Sequence, residues 1–169
     1  MAIRKRTVKR EVDTSELDRW IAGALKRSRD VRPPLRHMQR ELVKAHDRLF
    51  QTDGAPVGGW APLKSSTFAE KRSEGYSGGT LVRTGDLENS LTQLTNPMGI
   101  RDLGPKSMEF GTRVQYAQFH QTGTRNMHER QVVYVPRTFA RETGGRVAKH
   151  IVEGTVPTTK EAKGLFNVI

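Results

Sequence analysis

The chain of 169 residues contains no cysteine. This excludes a disulfide framework, a thiolate zinc site and a cysteine nucleophile, and it agrees with synthesis in a reducing cytosol. Long apolar runs are missing as well. No window approaches the ~18 consecutive apolar residues that cross a bilayer, so a soluble protein with no membrane partner is expected. The N-terminus, MAIRKRTVKR, is charged but has no apolar stretch behind it, unlike a secretory signal. Apolar residues make up only 34% and aromatics 7%, with a mean hydropathy of −0.66. That supply suits one modest core and not two. No internal repeat is visible.

What the chain has in excess is positive charge: 29 Lys and Arg against 18 Asp and Glu, a net of +11. Such an excess attracts polyanions at long range. Its one dense cluster is Arg4, Lys5, Arg6, Lys9 and Arg10, within an arm over 1–12. Basic arms of this kind contact nucleic acid in some proteins and only maintain solubility in others.

Asp13 followed by Glu16 has the spacing of a capping box. Leu17, Trp20, Ile21, Ala24 and Leu25 recur at helical intervals, which predicts an amphipathic helix over 14–27. Pro33 and Pro34 fit the first turn of a second helix. There Leu35, Met38, Leu42, Ala45, Leu49 and Phe50 form one face, while Arg36, Arg40, Lys44 and Arg48 form a stripe at four-residue intervals. The stripe is either a solvated face or a surface for DNA or an acidic neighbour.

QTDGAPVGGWAPL reads as a loop anchored to the core by Trp60, followed by a helical turn or two over 67–73. EGYSGGT reads as a mobile loop; it lacks the spacing and lysine of a phosphate-binding loop. Thr84 can cap a short helix in which Leu87 and Leu91 share a face. Short strands are predicted over 90–95, 99–103, 107–112 and 131–135, with Met108 and Phe110 alternating as half-buried residues. A last helix is expected over 137–152, interrupted at Gly144 and Gly145. The expected class is α+β: N-terminal helices packed on a small antiparallel sheet, with flexible loops and extended termini. The corresponding divisions are the arm at 1–12, one domain at 13–153 and a tail at 154–169.

Two of the five histidines, His120 and His128, lie close together, with Glu129 beside the second. A metal site needs at least three convergent ligands, and neither HxxxH nor HExxH occurs. His37 and His46, nine residues apart on one helix, point in different directions. No serine elbow is present. The expectation is a protein without catalytic machinery, metal or cofactor. Tyr116, Ala117 and Phe119 read as the apolar side of a short helical turn. His120 and Gln121 are expected to fix the next loop by hydrogen bonds, Gly123 to let the chain reverse, and 124–131 to project as a polar loop.

Four motifs then carry a resemblance: GWAPL at 59–63 with Thr67 and Lys71, LVRTGDLENSL at 81–91, GTRVQYAQFHQTGT at 111–124, and VPRTF at 135–139. In this order and spacing they resemble the phage virion morphogenesis, or tail completion, family of tailed bacteriophages. The resemblance implies a virion structural protein of the head-to-tail neck, made in the host bacterial cytoplasm. It implies a self-assembled ring around a DNA channel, six-fold or twelve-fold. Implied neighbours are a head connector or head-closure protein on one side and a tail terminator or tail tube protein on the other. Genomic DNA in the channel would give the stripe and the arm a partner. Candidate residues for the subunit or ring interface are Trp60, Tyr116, Phe119, His120, Gln121, Arg125, Arg137 and Phe139. A basic nucleic-acid-binding module without catalytic activity is the alternative reading.

Overall fold

Pro33 and Pro34 supply the pre-set backbone at the start of the longest helix, where a missing N–H costs nothing. The computed structural model describes residues 13–155. In chain order the elements are α1 (Ser15–Ser28), α2 (Arg32–Gln51), a 3₁₀ turn (Ala55–Val57), α3 (Ser65–Ser73), α4 (Asp86–Thr92), β1 (Gly99–Ile100), β2 (Gly111–Thr112), α5 (Ala117–Thr122) and α6 (Phe139–Glu153). The class is α+β as expected, rich in helix and poor in sheet. The basic cluster from Arg4 to Arg10, and the end of the chain with Leu165 and Phe166, lie outside the described residues.

α2 turns Leu35, Met38, Leu42, Leu49 and Phe50 inward as its spacing demands. The densest core joins Leu49 and Phe50 to Trp60, Leu87, Leu91, Val114, Ala117 and Val132. Each large apolar side chain so enclosed contributes about 1.5–3 kcal/mol relative to exposure. α4 lies along α2 and touches both strands, while α6 packs on α2 and on α1.

The sheet is one hairpin. β1 pairs antiparallel with β2, Gly99 opposite Thr112 and Ile100 opposite Gly111. The bridge between Leu103 and Met108 and the bonds Arg113 N–H to Met98 O, Glu109 N–H to Asp102 O and Gly104 N–H to Ser107 O keep the same register to a two-residue turn at 105–106. The tip is fastened to the α1–α2 corner, because Val31 N–H donates to Pro105 O at 2.8 Å.

Several expectations fail for identifiable reasons. Residues 90–92 finish α4 instead of starting a strand, since Leu87 and Leu91 are both buried one helical turn apart. Residues 131–135 are extended but pair with no strand. Their backbone is satisfied by side chains: Gln121 Oε1 accepts from Val132 N–H and Val133 N–H, and His46 Nε2 accepts from Tyr134 N–H. α6 runs unbroken through Gly144 and Gly145, where packing on α1 and α2 outweighs the low helix propensity of glycine. The capping box does not form. Thr14 is the N-cap, and Asp13, one residue too early, accepts from Ser15 N–H. Thr84 does not cap α4 either: Gly85 is the N-cap, in the left-handed region at φ +85°, and the Thr84 hydroxyl donates to Asp86.

His46 is fully buried. Its Nδ1–H donates to Leu42 O at 2.7 Å while Nε2 accepts from Tyr134 N–H, a pattern that only the neutral ring supports. Its ring lies between Phe110 and Tyr134, with centroids at 4.8 and 5.2 Å. Burial, assisted by the Arg101 charge, pushes its pKa from the ordinary 6.5 down to about 4. Below the ordinary value the unfolded chain therefore binds a proton that the fold refuses. Stability is full above about pH 6.5 and falls as pH drops toward 4, by about 3 kcal/mol from this residue. Urea unfolding at pH 7 and pH 4.5 should show a steeper loss in the wild type than in His46→Asn. A second expectation concerns Gly144, where an added Cβ meets nothing within 4 Å. Gly144→Ala should raise stability by about 0.5–1 kcal/mol, read as a higher thermal midpoint.

Candidate functional site

The loop after α2 is folded back by one residue. Trp60 is 8% exposed, meets Phe50 edge-on at 5.1 Å and donates its Nε1–H to Gln131 O at 3.0 Å. Gly54, at φ +82°, lies under the indole, and a Cβ there would come within 2.5 Å of the ring. Trp60 is thus the anchor that the sequence suggested. Its burial corrects its candidacy as a surface for a neighbouring subunit. Beside it, Arg130 donates to Ala61 O and Pro62 O, closing 59–63 onto 130–131.

α3 brings Lys71 under the glycine-rich loop. Its ammonium donates to Gly78 O, Gly79 O and Val82 O at 3.1, 2.8 and 2.8 Å. All three of its donors are consumed, and Asp53 accepts from Thr80 N–H. The loop expected to be mobile is therefore pinned from below and from one side. Burial and the nearby Arg83 hold the Lys71 pKa below its ordinary value. Arg83 itself pairs with Glu74 and Glu70.

α5 leaves the hairpin as a short turn with Ala117 inside and Tyr116 and Phe119 outside. Gln121 is the fastener: besides accepting from two N–H groups it donates Nε2–H to Val133 O. Its side chain is committed within the subunit. His120 fastens through its main chain, whose carbonyl accepts from Arg130 N–H at 2.7 Å. Its ring does not: Nδ1 is buried without a hydrogen-bond partner among the described residues, and the ring meets Tyr116 edge-on. Burial and the Arg130 charge keep it below the ordinary histidine pKa, hence uncharged at pH 7. Gly123 reverses the chain at φ +69°, where a Cβ would be 2.9 Å from Glu129 N. Arg125 stands exposed on the loop that follows, Arg137 is exposed ahead of α6, and Phe139 opens α6 half-buried.

Segments far apart in the chain meet at one cleft of about 630 Å³. Leu63 and Lys71 come from the first motif, Leu81, Val82 and Asp86 from the second, Tyr116 and His120 from the third. His128 and Met127 close the rim. Among the described residues no group of three His, Asp or Glu can hold a metal. The cleft offers apolar walls, a fully bonded lysine and a neutral histidine, a lining suited to receiving side chains from another surface.

The basic stripe is where the sequence put it. Arg36, Arg40, Lys44 and Arg48 are all exposed on α2, with Lys44 paired to Glu41 at 3.2 Å. Three cations that do structural work lay outside the sequence-based candidates: Lys71, Arg101 and Arg130. Lys71 stood within a quoted motif, but nothing in its type or spacing told that its charge turns inward. Removing it leaves three carbonyls without a donor in a partly buried loop. Lys71→Met should cost about 2–3 kcal/mol in urea unfolding and expose residues 74–82 to limited proteolysis.

No curated protein and no solved structure matches the chain. A family model matches residues 12–153, nearly all of the described residues and far more than the motifs span, and on that match the chain belongs to the phage virion morphogenesis family.

Proposed function

We propose that the protein is a ring-forming neck, or tail-completion, component that joins the head connector to the tail around the DNA channel. The observation that carries this reading is the family match across residues 12–153. Two features of the surface support it. Four cations stand in a row on α2, separated by one helical turn each and facing solvent, the arrangement that follows a phosphate backbone or an acidic partner. Large apolar side chains also remain uncovered on α1 and α5, as expected of a part completed by its neighbours. In this reading a head-closure or connector protein lies on one side of the ring and a tail terminator or tail tube protein on the other. The subunits contact one another head to tail, so that one surface meets a different one and the ring closes.

Removal of the gene tests this directly. Electron microscopy of lysates should show DNA-filled heads and free tails accumulating unjoined. Normal intact virions from the deletion would overturn the proposal and leave the α2 stripe to the alternative reading, a nucleic-acid-binding module.

A further inference from the structure

α1 is an anomaly. It has 14 residues and a continuous apolar stripe, yet none of its residues is buried. Leu17, Trp20, Ile21 and Leu25 are 54, 50, 41 and 57% exposed. A helix of this length is marginal in water unless its apolar face is packed. Its principal packing is on α6, and it is fastened near its C-terminal end, where Arg27 donates to Ile151 O and Val152 O. The stripe over the first two turns is covered by no described residue.

We propose that α1 is an arm by which one copy of this chain docks into the motif-lined cleft of the next copy. The inference rests on the ring-forming reading above and names its subunit contact. Charge selects the occupant. Ahead of and beside the stripe the arm carries Asp13, Glu16 and Asp18, with Arg19 the only base before Lys26. An acidic end of this kind repels nucleic acid and seeks a basic surface. The cleft supplies one: Lys64, Arg83 and Arg130 line it against the single carboxylate of Asp86.

Shape and chemistry agree. The cleft has apolar walls at Leu81, Val82 and Tyr116, room for an indole, and the buried Nδ1 of His120 still lacking a partner among the described residues. The shallower groove on the other side of α5 has Arg113 as its only cation. The arm and the cleft are also different surfaces of one chain, walled by different elements. Contact between them propagates head to tail and can close a ring, whereas a self-matched patch stops at a dimer.

Two substitutions, each on one surface, decide the matter. Ile21→Glu disables the arm and Tyr116→Glu the cleft, while Phe119→Glu alters the neighbouring groove as a control. Light scattering on the concentrated wild type and on Phe119→Glu should give masses above the 19.0 kDa of one chain. Each of the other two variants alone should stay at 19.0 kDa, and their equimolar mixture should recover a two-chain species. That outcome is specific to unlike surfaces, since the mixture retains one good arm and one good cleft. A wild type that stays single at every concentration overturns the proposal; so does either variant assembling normally, a mixture that fails to complement, or loss of assembly in Phe119→Glu. Because the chain lacks cysteine, an Ile21→Cys/Tyr116→Cys double variant gives a second reading. Oxidation should produce a ladder of disulfide-linked multimers, and no ladder counts against the contact even if a glutamate variant misfolds. Failure of these tests alongside unjoined heads and tails in the deletion overturns only the arm contact; intact virions in the deletion overturn the neck reading.

Discussion

A chain with only two residues in each paired strand must satisfy its main-chain carbonyls by other means, because a buried carbonyl without a donor is costly. Here the donors are cationic side chains. Lys71 takes three carbonyls beneath the glycine-rich loop. Arg101 takes those of Ser90, Ile100 and Gly111 while its guanidinium covers the Phe110 ring at 4.1 Å. Arg130 joins 61–62 to α5, and Arg27 takes the last carbonyls of α6, where the helix dipole also favours a cation. The same economy explains Gln121 and Trp60, whose side chains serve 131–133 in place of a neighbouring strand. Part of the +11 charge is thus spent inside the subunit, and charge counted from composition overstates what faces a polyanion.

Much of this architecture could be read from local pattern. The prolines and the apolar face of α2, the loop around Trp60, the reversal at Gly123 and the half-buried alternation of Met108 and Phe110 each follow from one residue's chemistry or from a short period. What could not be read depended on partners distant in the chain. Val132 and Val133 have the composition of a strand, but whether a strand forms depends on an available edge, and Gln121 occupies that place. Ser90 to Thr92 stay helical because two leucines a turn apart find the same core. The capping box failed by one residue of register, a difference that spacing alone does not resolve.

The site was legible in outline only. Motif segments announced themselves by order and spacing, yet their convergence on one cleft needed the fold. The histidine-rich strip at 114–139 divides in consequence. His120 faces the cleft as a neutral ring, Gln121 is an internal clamp, Arg130 is a buried donor, and Arg125 is left to solvent. Trp60, an aromatic that sequence alone could assign to either core or interface, belongs to the core. The stripe of α1 shows the opposite ambiguity: periodicity reveals that a helix has an apolar face without telling which molecule covers it.

The corner between α1 and α2 carries a mechanical consequence. Val31 N–H is hooked to the hairpin tip at Pro105 O, His150 Nε2 lies 3.3 Å from Asp30 O, and Arg27 grips the end of α6. Tension applied along α1 therefore enters the body at its shoulder, through the hairpin and α6 together, before it reaches the middle of α2. Pulling on the helix would strain two supports that diverge from a single point, as guy lines do at a mast, and the aromatic interior behind Trp60 would be the last part to feel it.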